Sequence, residues 1–203
     1  MNAAFVAGLL AALDDLDSPA LSTAAAKAFA ARPAVFDPVT ILVPALASLR
    51  ASGEAVAIAI LWEHCAAFLL QRSGCPPEAP RDWRQDVKLS CSCADCRELQ
   101  KFTLDPVAQD ARFRVRQDRR QHLHQQIERH SLDMTHVTER KGSPQTLVCT
   151  KDRRSYQRRC EQYRKDIAAL VSLAGQAYNG VGSEELLTGI ESARSLAGQW
   201  SPA

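Results

Sequence analysis

The sequence contains few aromatic residues and no long apolar run. Phe, Trp and Tyr together account for 6% of its 203 residues. The longest apolar run, from Ala55 to about Trp62, is far shorter than the roughly 20 residues that a membrane-spanning helix needs. The first residues, Met1 to Phe5, lack the basic segment of a secretory signal, and aspartates follow closely. We therefore expect an intracellular protein, cytoplasmic or nuclear, with no membrane partner.

Sequence signatures of catalysis are also missing. No histidine is followed two positions later by Asp or Glu, which excludes that element of a two-histidine, one-carboxylate iron site. The His-x-Glu and Pro-Cys-x-x-Cys elements of zinc deaminases are absent as well. The enzymatic alternatives are a catalytic zinc with Glu98 or Glu139 as base, and a nucleophilic Cys149 beside His136. We favour a protein without catalytic activity.

Charge is present in both signs but is distributed unevenly, although the formal net charge is only +2. Residues 1–80 carry 4 Lys/Arg against 7 Asp/Glu, residues 81–170 carry 20 against 13, and residues 171–203 carry 1 against 3. The basic excess in the middle of the chain indicates an acidic partner, nucleic acid included, or a solvated helical face.

Composition and periodicity predict a mainly α-helical fold. Apolar residues at helical spacing predict four helices within residues 1–74, with proline at the start of the second and third. Pro44 falls inside the third helix and is expected to kink it. Residues 1–74 are therefore predicted to form two helical hairpins, either as an armadillo- or HEAT-like helical repeat or as a plain bundle.

Three of the seven cysteines lie within six residues, as Cys91-Ser92-Cys93-Ala94-Asp95-Cys96. In a reducing compartment, an odd number of cysteines with such crowding indicates a metal before disulfides. Structural zinc takes four tetrahedral sulfur or nitrogen ligands, and this spacing can provide three. Asp95 is expected to cap the next helix, whose positive N-terminus then favours the Cys96 thiolate. A Zn²⁺ site is predicted, with metal-free thiols and an iron–sulfur cluster as alternatives.

The fourth ligand has to come from downstream of this cluster. A single helix is predicted from Arg112 to His130, with sparse apolar residues on one face. Three histidines lie on it, and two further candidates lie in the segment that follows. The candidates are His122, His124, His130, His136 and Cys149.

A β-hairpin is predicted after this helix. Residues 134–139 alternate in polarity and are rich in β-branched residues, and residues 145–150 form a second such run. Between them, Arg140-Lys141-Gly142-Ser143-Pro144 has the composition of a turn.

A long basic helix is predicted from about Asp152 to about Tyr178, with a short terminal helix ending near Trp200. Residues 75–180 are thus predicted to form a zinc-stabilised α+β module with one hairpin and this helix, and residues 181–203 a C-terminal helix and tail.

The hairpin tip and the basic helix carry the candidate phosphate contacts. Binding through them would be sensitive to salt, and the scarcity of aromatic residues leaves no platform for stacking bases. The function hypothesis is a zinc-stabilised, non-enzymatic module that binds nucleic acid or an acidic protein, and the alternative is a protein-interaction scaffold. The candidate residues are Arg140, Lys141, Lys151, Arg153, Arg154, Arg158 and Arg159.

Five segments between Trp83 and Leu170 occur together: CSCADC followed by Leu99 and Phe102, Asp105-Pro106, Arg120-Gln121-His122-Leu123, ERKGSPQTLVCTK, and the basic helix. This combination resembles a cysteine/histidine-containing module of uncharacterised bacterial proteins. It is also similar to C-terminal regions of fungal and plant proteins labelled 2-oxoglutarate/iron(II) oxygenase. The resemblance supports His122 as the first choice of fourth ligand, ahead of His136 or Cys149. It also implies a further alternative, an accessory domain of an oxygenase-like enzyme with no catalytic triad of its own.

Overall fold

The chain is mainly helical with a small antiparallel sheet, as predicted, in a computed structural model that describes residues 1–49, 55–176 and 183–202. It consists of two units: unit 1 comprises Met1–Pro77 and Cys160–Ala203, and unit 2 comprises Glu78–Arg159. Within the described ranges, no helix has the length and apolar character needed to cross a membrane.

The units differ from the predicted segments in their boundaries. The C-terminal helix belongs to unit 1 rather than standing alone, because Ile190 and Ala193 are buried in the same apolar core as the N-terminal helices. The long basic helix is divided, since its residues up to Arg159 belong to unit 2 and the remainder to unit 1.

Unit 1 is built from helices whose N-termini carry side-chain caps at several positions. Asn2 accepts a hydrogen bond from the Phe5 N–H, and Ser183 accepts one from the Leu186 N–H. Such caps satisfy donors that the helix itself leaves unpaired. The helices are α1 (Ala3–Asp15), α2 (Pro19–Ala30), α3 (Val43–Ser48), α4 (Ala55–Ser73), the later part of α7 (Arg154–Ala174) and α8 (Glu184–Gln199).

The predicted third helix is interrupted near Pro44. Asp37 caps a π-helical segment, Pro38–Leu42, and an α-helix continues from Val43. Proline cannot donate a backbone hydrogen bond to the preceding turn, so the hydrogen-bonding pattern changes at this point. The interruption agrees with the kink expected there.

Unit 1 closes on an apolar core, beside which an ion pair contains a buried carboxylate. Trp62 and Leu69 of α4 are almost fully buried, and the Trp62 indole N–H donates to the Leu173 carbonyl at 2.9 Å. The buried Asp166 carboxylate accepts two hydrogen bonds of 2.7 Å from Arg72. The helical-repeat interpretation of these helices stays a prediction.

Unit 2 combines helices with a small sheet. The elements of unit 2 are α5 (Ala94–Leu104), β1 (Asp110–Arg114), α6 (Gln117–Arg129), β2 (Met134–Glu139), β3 (Thr146–Lys151) and the start of α7. The three strands form an antiparallel sheet in the order β1-β3-β2. The predicted hairpin is present, as β2 and β3.

The prediction of one helix from Arg112 to His130 was wrong at its N-terminal end. Residues 110–114 form β1, in which Phe113 pairs with Leu147 of β3, and the helix begins at Gln117. The reason is the strand-like alternation around Phe113, whose side chain is buried while its arginine neighbours are exposed. A strand can place that alternation with one face on the core, whereas a helix cannot.

The core of unit 2 lies between its two helices and its sheet. Leu99 of α5, Leu123 of α6 and Leu147 of β3 are fully buried in one apolar cluster that also includes Cys96 and Cys149. This packing brings the N-terminal turn of α5 close to the middle of α6, where the candidate ligands lie.

Candidate metal centre

Cys91, Cys93, Cys96 and His122 form a cluster that can hold a metal ion. Their ligand atoms, three sulfurs and one imidazole nitrogen, all lie within 4.8 Å of one another. Cys96 Sγ is 3.2 Å from His122 Nε2, which joins α5 to α6 directly. The structure therefore gathers the three crowded cysteines and the first-choice histidine at one point.

The start of α5 places two of the thiols. Cys93 is the N-cap residue, and its Sγ accepts a hydrogen bond from the Cys96 N–H at 3.5 Å. Asp95 does not cap the helix, contrary to our expectation, because Cys93 occupies the N-cap position. A cysteine at this position and another three residues later lie on the same side of the first turn, which is the arrangement needed to share one ion.

Asp95 instead connects the two helices of the site. It is buried, and its carboxylate accepts hydrogen bonds from the Arg119 guanidinium, one of them 2.6 Å long. Because Asp95 precedes Cys96 and Arg119 lies one turn before His122, this ion pair fixes the same two helices that the ligands join. Asp95 raises the pKa of Arg119 by hydrogen bonding and by its charge.

The segment before the cluster is held by side-chain amides rather than by secondary structure. Gln100 of α5 accepts from the Leu89 N–H at 2.8 Å and donates to the Val87 carbonyl at 2.7 Å. The Ser90 N–H donates to His130 Nε2 at 3.2 Å. These bonds tie Val87 and Leu89 to α5, and Ser90 to the C-cap residue of α6. Cys91 is thereby positioned although it lies in an irregular segment.

The thiols differ in their electrostatics. The pKa of Cys93 is lowered, chiefly because its sulfur accepts a hydrogen bond from the backbone N–H of Cys96. Burial raises the pKa of the Cys96 thiol, and hydrogen bonds with Cys93 and Cys91 raise it further. A metal ion reverses this second effect, because a coordinating thiol is deprotonated outright.

The donor set fits a tetrahedral metal ion. With metal–sulfur distances near 2.3 Å, neighbouring ligand atoms of such a site lie about 3.8 Å apart. The observed spread of up to 4.8 Å needs only small side-chain rotations to reach that spacing. Three sulfurs and one imidazole nitrogen are also soft or borderline donors, which suit zinc better than magnesium or calcium.

The other four candidates for the fourth ligand have different surroundings. His124 and His136 contact each other, with their Nδ1 atoms 2.5 Å apart, and the pKa of His124 is lowered by burial and by His136. His130 contacts Ser90. Cys149 is buried in the core, and burial raises its pKa to about 12.

The seven basic residues proposed as phosphate contacts do not share one environment. Lys151 is only 3% exposed; its Nζ donates to the Asp105 carbonyl at 2.6 Å and lies 4.6 Å from the Phe102 ring centroid. Burial lowers its pKa. Lys151 is therefore a core residue and is withdrawn from the candidate surface.

Three arginines, one just before α7 and two in its first turns, have partners within unit 2. Arg153 stacks on Trp83, 4.7 Å from its ring centroid. Arg154 pairs with Asp152 at 2.7 Å, and Arg158 donates to Ser155 Oγ at 3.0 Å. The exposed residues Arg140, Lys141 and Arg159 complete the set.

The sequence did not reveal the polar contacts that hold the site, although Asp95 and His130 were noted for other roles. These contacts are those of Asp95 with Arg119, Gln100 with Leu89, and Ser90 with His130. Their signals in the sequence are weak, because none lies at a fixed spacing from its partner. Comparison of the chain with protein-family models, curated proteins and solved structures found no match.

Proposed function

We propose that unit 2 is a zinc-stabilised, non-enzymatic module that binds nucleic acid through its basic surface. The observation that carries this proposal is the Cys91, Cys93, Cys96 and His122 cluster, in which ligands from a loop and two helices meet. Structural zinc sites of this kind contribute directly to folding, because the ligands are not gathered in the unfolded chain.

The number of protein ligands argues for a structural ion. Four protein donors complete a tetrahedron, whereas catalytic zinc keeps one position for water or substrate. Glu139, one of the bases considered for an enzymatic reaction, pairs with Arg112. Cys149 and His136 oppose each other in the β2–β3 register, but the Cys149 thiol is buried with a raised pKa and makes a poor nucleophile.

The charge of unit 2 supports an anionic partner. Residues 78–159 carry 18 Lys/Arg against 12 Asp/Glu, a net charge of +6, while the remaining residues carry 7 against 11, a net charge of −4. Nucleic acid is favoured over an acidic protein because its charge density rewards scattered cations without requiring an apolar interface.

Elemental analysis of the purified full chain tests the metal. We expect about one zinc per chain, and a content below about 0.3 metal per chain overturns the proposal. Loss of the bound metal on replacing His122 with Ala, with full retention on replacing His124 with Ala, would identify the fourth ligand. The two histidines are two positions apart on one helix, which makes them matched controls.

Binding of the zinc-loaded protein to generic double-stranded DNA and single-stranded RNA tests the partner. We expect retention at low salt that falls steeply as salt rises, since each phosphate contact releases counterions. No retention of either nucleic acid at low salt overturns the nucleic-acid part of the proposal. An acidic protein would then be the partner to test.

A further inference from the structure

A polar cavity of about 460 Å³ lies beside α6 in unit 2. The helix supplies one of its walls through Gln117, Arg120, Gln121 and His124, which recur at helical spacing and share one face. Thr138 and Arg140 at the end of β2 line it as well, together with Gln145. The volume falls in the range of small-molecule sites, about 300–1,000 Å³.

Arg120 is the unusual residue of this cavity, because it is a buried cation without a carboxylate. It is 8% exposed, and its guanidinium donates to the Val115 carbonyl at 2.9 Å, to Gln145 Oε1 at 2.9 Å and to the Gln145 carbonyl at 3.4 Å. Over the ranges that the structure describes, no Asp or Glu forms an ion pair with it. A buried charge normally has an opposite charge as partner, whereas all three partners of Arg120 are neutral oxygens, so its charge favours an anionic ligand in the cavity.

The remaining lining adds donors. The Gln145 side-chain oxygen accepts from Arg120, and no described residue bonds to its NH₂ group. The side chains of Arg140 and Gln121 are exposed, and neither side chain makes a hydrogen bond or ion pair within the described part of unit 2. No Asp or Glu lines the cavity. Three carboxylates lie next to lining residues in the chain or act on one of them: Glu139 pairs with Arg112, Glu128 raises the pKa of His124, and Asp118 follows Gln117.

We infer that this cavity binds a phosphate group, with Arg120 and Arg140 as its charged contacts and the side-chain amides of Gln121 and Gln145 as further donors. Planar guanidinium groups and amide NH₂ groups suit the several oxygens of a phosphate. The inference rests on the proposed function, since it names the group of the nucleic acid that unit 2 would recognise. It adds Arg120 and two uncharged donors, Gln121 and Gln145, to the phosphate contacts considered above.

A titration of the zinc-loaded full chain with inorganic phosphate, at constant ionic strength set by chloride, tests the site. The readout is the NMR signals of the Gln side-chain NH₂ groups and the Arg Nε–H groups. We expect saturable shifts at Gln145, Gln121 and Arg120. Parallel titrations with a dinucleotide and with acetate distinguish a nucleic-acid phosphate from a carboxylate source.

Two matched pairs of variants separate the cavity from general charge. R140E should weaken phosphate binding about tenfold or more, because a charged hydrogen bond becomes a repulsion. R129E makes the same change at an exposed residue of α6 outside the cavity and should weaken binding less than about twofold after screening by salt. Likewise Q121E, which places a carboxylate beside Arg120, should abolish saturation, and Q125E one turn later should not. All four positions are exposed, so the fold should persist, which unchanged zinc content would verify.

The outcomes distinguish the site from the proposed function. Equal effects of R140E and R129E, no saturation by phosphate, or acetate binding as tightly as phosphate each overturn the inference. Retention of nucleic acid without saturation by phosphate overturns the cavity alone. Saturation by phosphate without retention of nucleic acid overturns the proposed function and leaves the cavity as a phosphate site.

Discussion

Among the residues that the structure describes, unit 1 closes around 21 buried apolar residues, whereas unit 2 closes around 12 and gathers beside them four residues that can hold a metal ion. Unit 2 has only 82 residues, and its first 16, up to Cys93, contain no helix or strand. Small units with a modest core are marginal and commonly depend on a metal or a disulfide. We therefore expect unit 1 to obtain its stability from apolar burial, and unit 2 from apolar burial together with a bound metal ion.

Each unit also contains one buried carboxylate paired with an arginine, and the two pairs differ in what they connect. In unit 1, Asp166 is fully buried and accepts from Arg72, Ser73 and Gln162, so the pair is complete without any ion. In unit 2, Asp95 pairs with a partly exposed Arg119 beside the metal ligands. The first pair serves the packing of helices, and the second serves the position of a site.

Loss of the metal should have the largest effect on stability, and it should affect unit 2 but not unit 1. Cys93 is exposed, so C93S removes a ligand with little loss of packing. We expect loss of bound zinc and unfolding of unit 2, because binding energy of this kind, about 10 kcal/mol in zinc-finger peptides, is folding energy. Hydrogen exchange should accelerate in α5 and α6 and stay unchanged in α4. The control is C75S, another exposed cysteine; equal exchange in both variants would contradict the comparison.

Breaking the ion pair of unit 1 should destabilise unit 1 and leave the zinc content unchanged. R72M leaves the Asp166 carboxylate buried without its cation, which typically costs about 3–5 kcal/mol. Urea unfolding followed by the fluorescence of tryptophan should show this loss, while zinc content stays the same. R194M, which removes only the exposed pair with Glu191, should cost about 1 kcal/mol or less. A loss of zinc in R72M would show that the units are not independent.

A smaller effect is expected from removing the charge that supports the metal site. D95N keeps the shape of the side chain but weakens its bond to Arg119, and changes of this kind around a ligand typically lower metal affinity about 10- to 100-fold. Competition with a chromogenic chelator measures the affinity. D118N neutralises an exposed carboxylate on α6, the helix of Arg119, and should change the metal affinity little. Similar metal affinities of D95N and D118N would show that Asp95 does not support the metal site.

The smallest expected difference is in the reactivity of two buried thiols, one in each unit. Burial raises the pKa of both Cys65 in unit 1 and Cys149 in unit 2 to about 12. A raised pKa lowers the thiolate fraction at every lower pH, to about 10⁻⁴ at pH 8, and the thiolate is the reactive form. Neither cysteine should react with iodoacetamide in the zinc-loaded protein. After the metal is removed by a chelator, Cys149 should become reactive while Cys65 stays protected, as followed by mass spectrometry. Continued protection of Cys149 would contradict a unit 2 that depends on metal.

Local patterns predicted much of the fold. The helices of unit 1 and the hairpin of unit 2 follow from apolar periodicity, caps and turn residues, which act over a few neighbouring positions. β1 was missed because it is only five residues long and lies directly before a true helix. It is stabilised by pairing with β3, a partner more than thirty residues away. Lys151 was assigned to the surface for the same reason, since its burial depends on Phe102 and Asp105 rather than on its own neighbours.

The sequence by itself identified three of the four residues that can hold a metal ion. Cys91, Cys93 and Cys96 are so close in the chain that any tight turn followed by a helix places their sulfurs together, whatever the rest of the molecule does. The fourth ligand was decided only by the tertiary structure. The histidines downstream are chemically equivalent, and it is the packing of α6 against α5, fixed by the Asp95 pair and by Leu99 and Leu123, that brings His122 to 3.2 Å from Cys96.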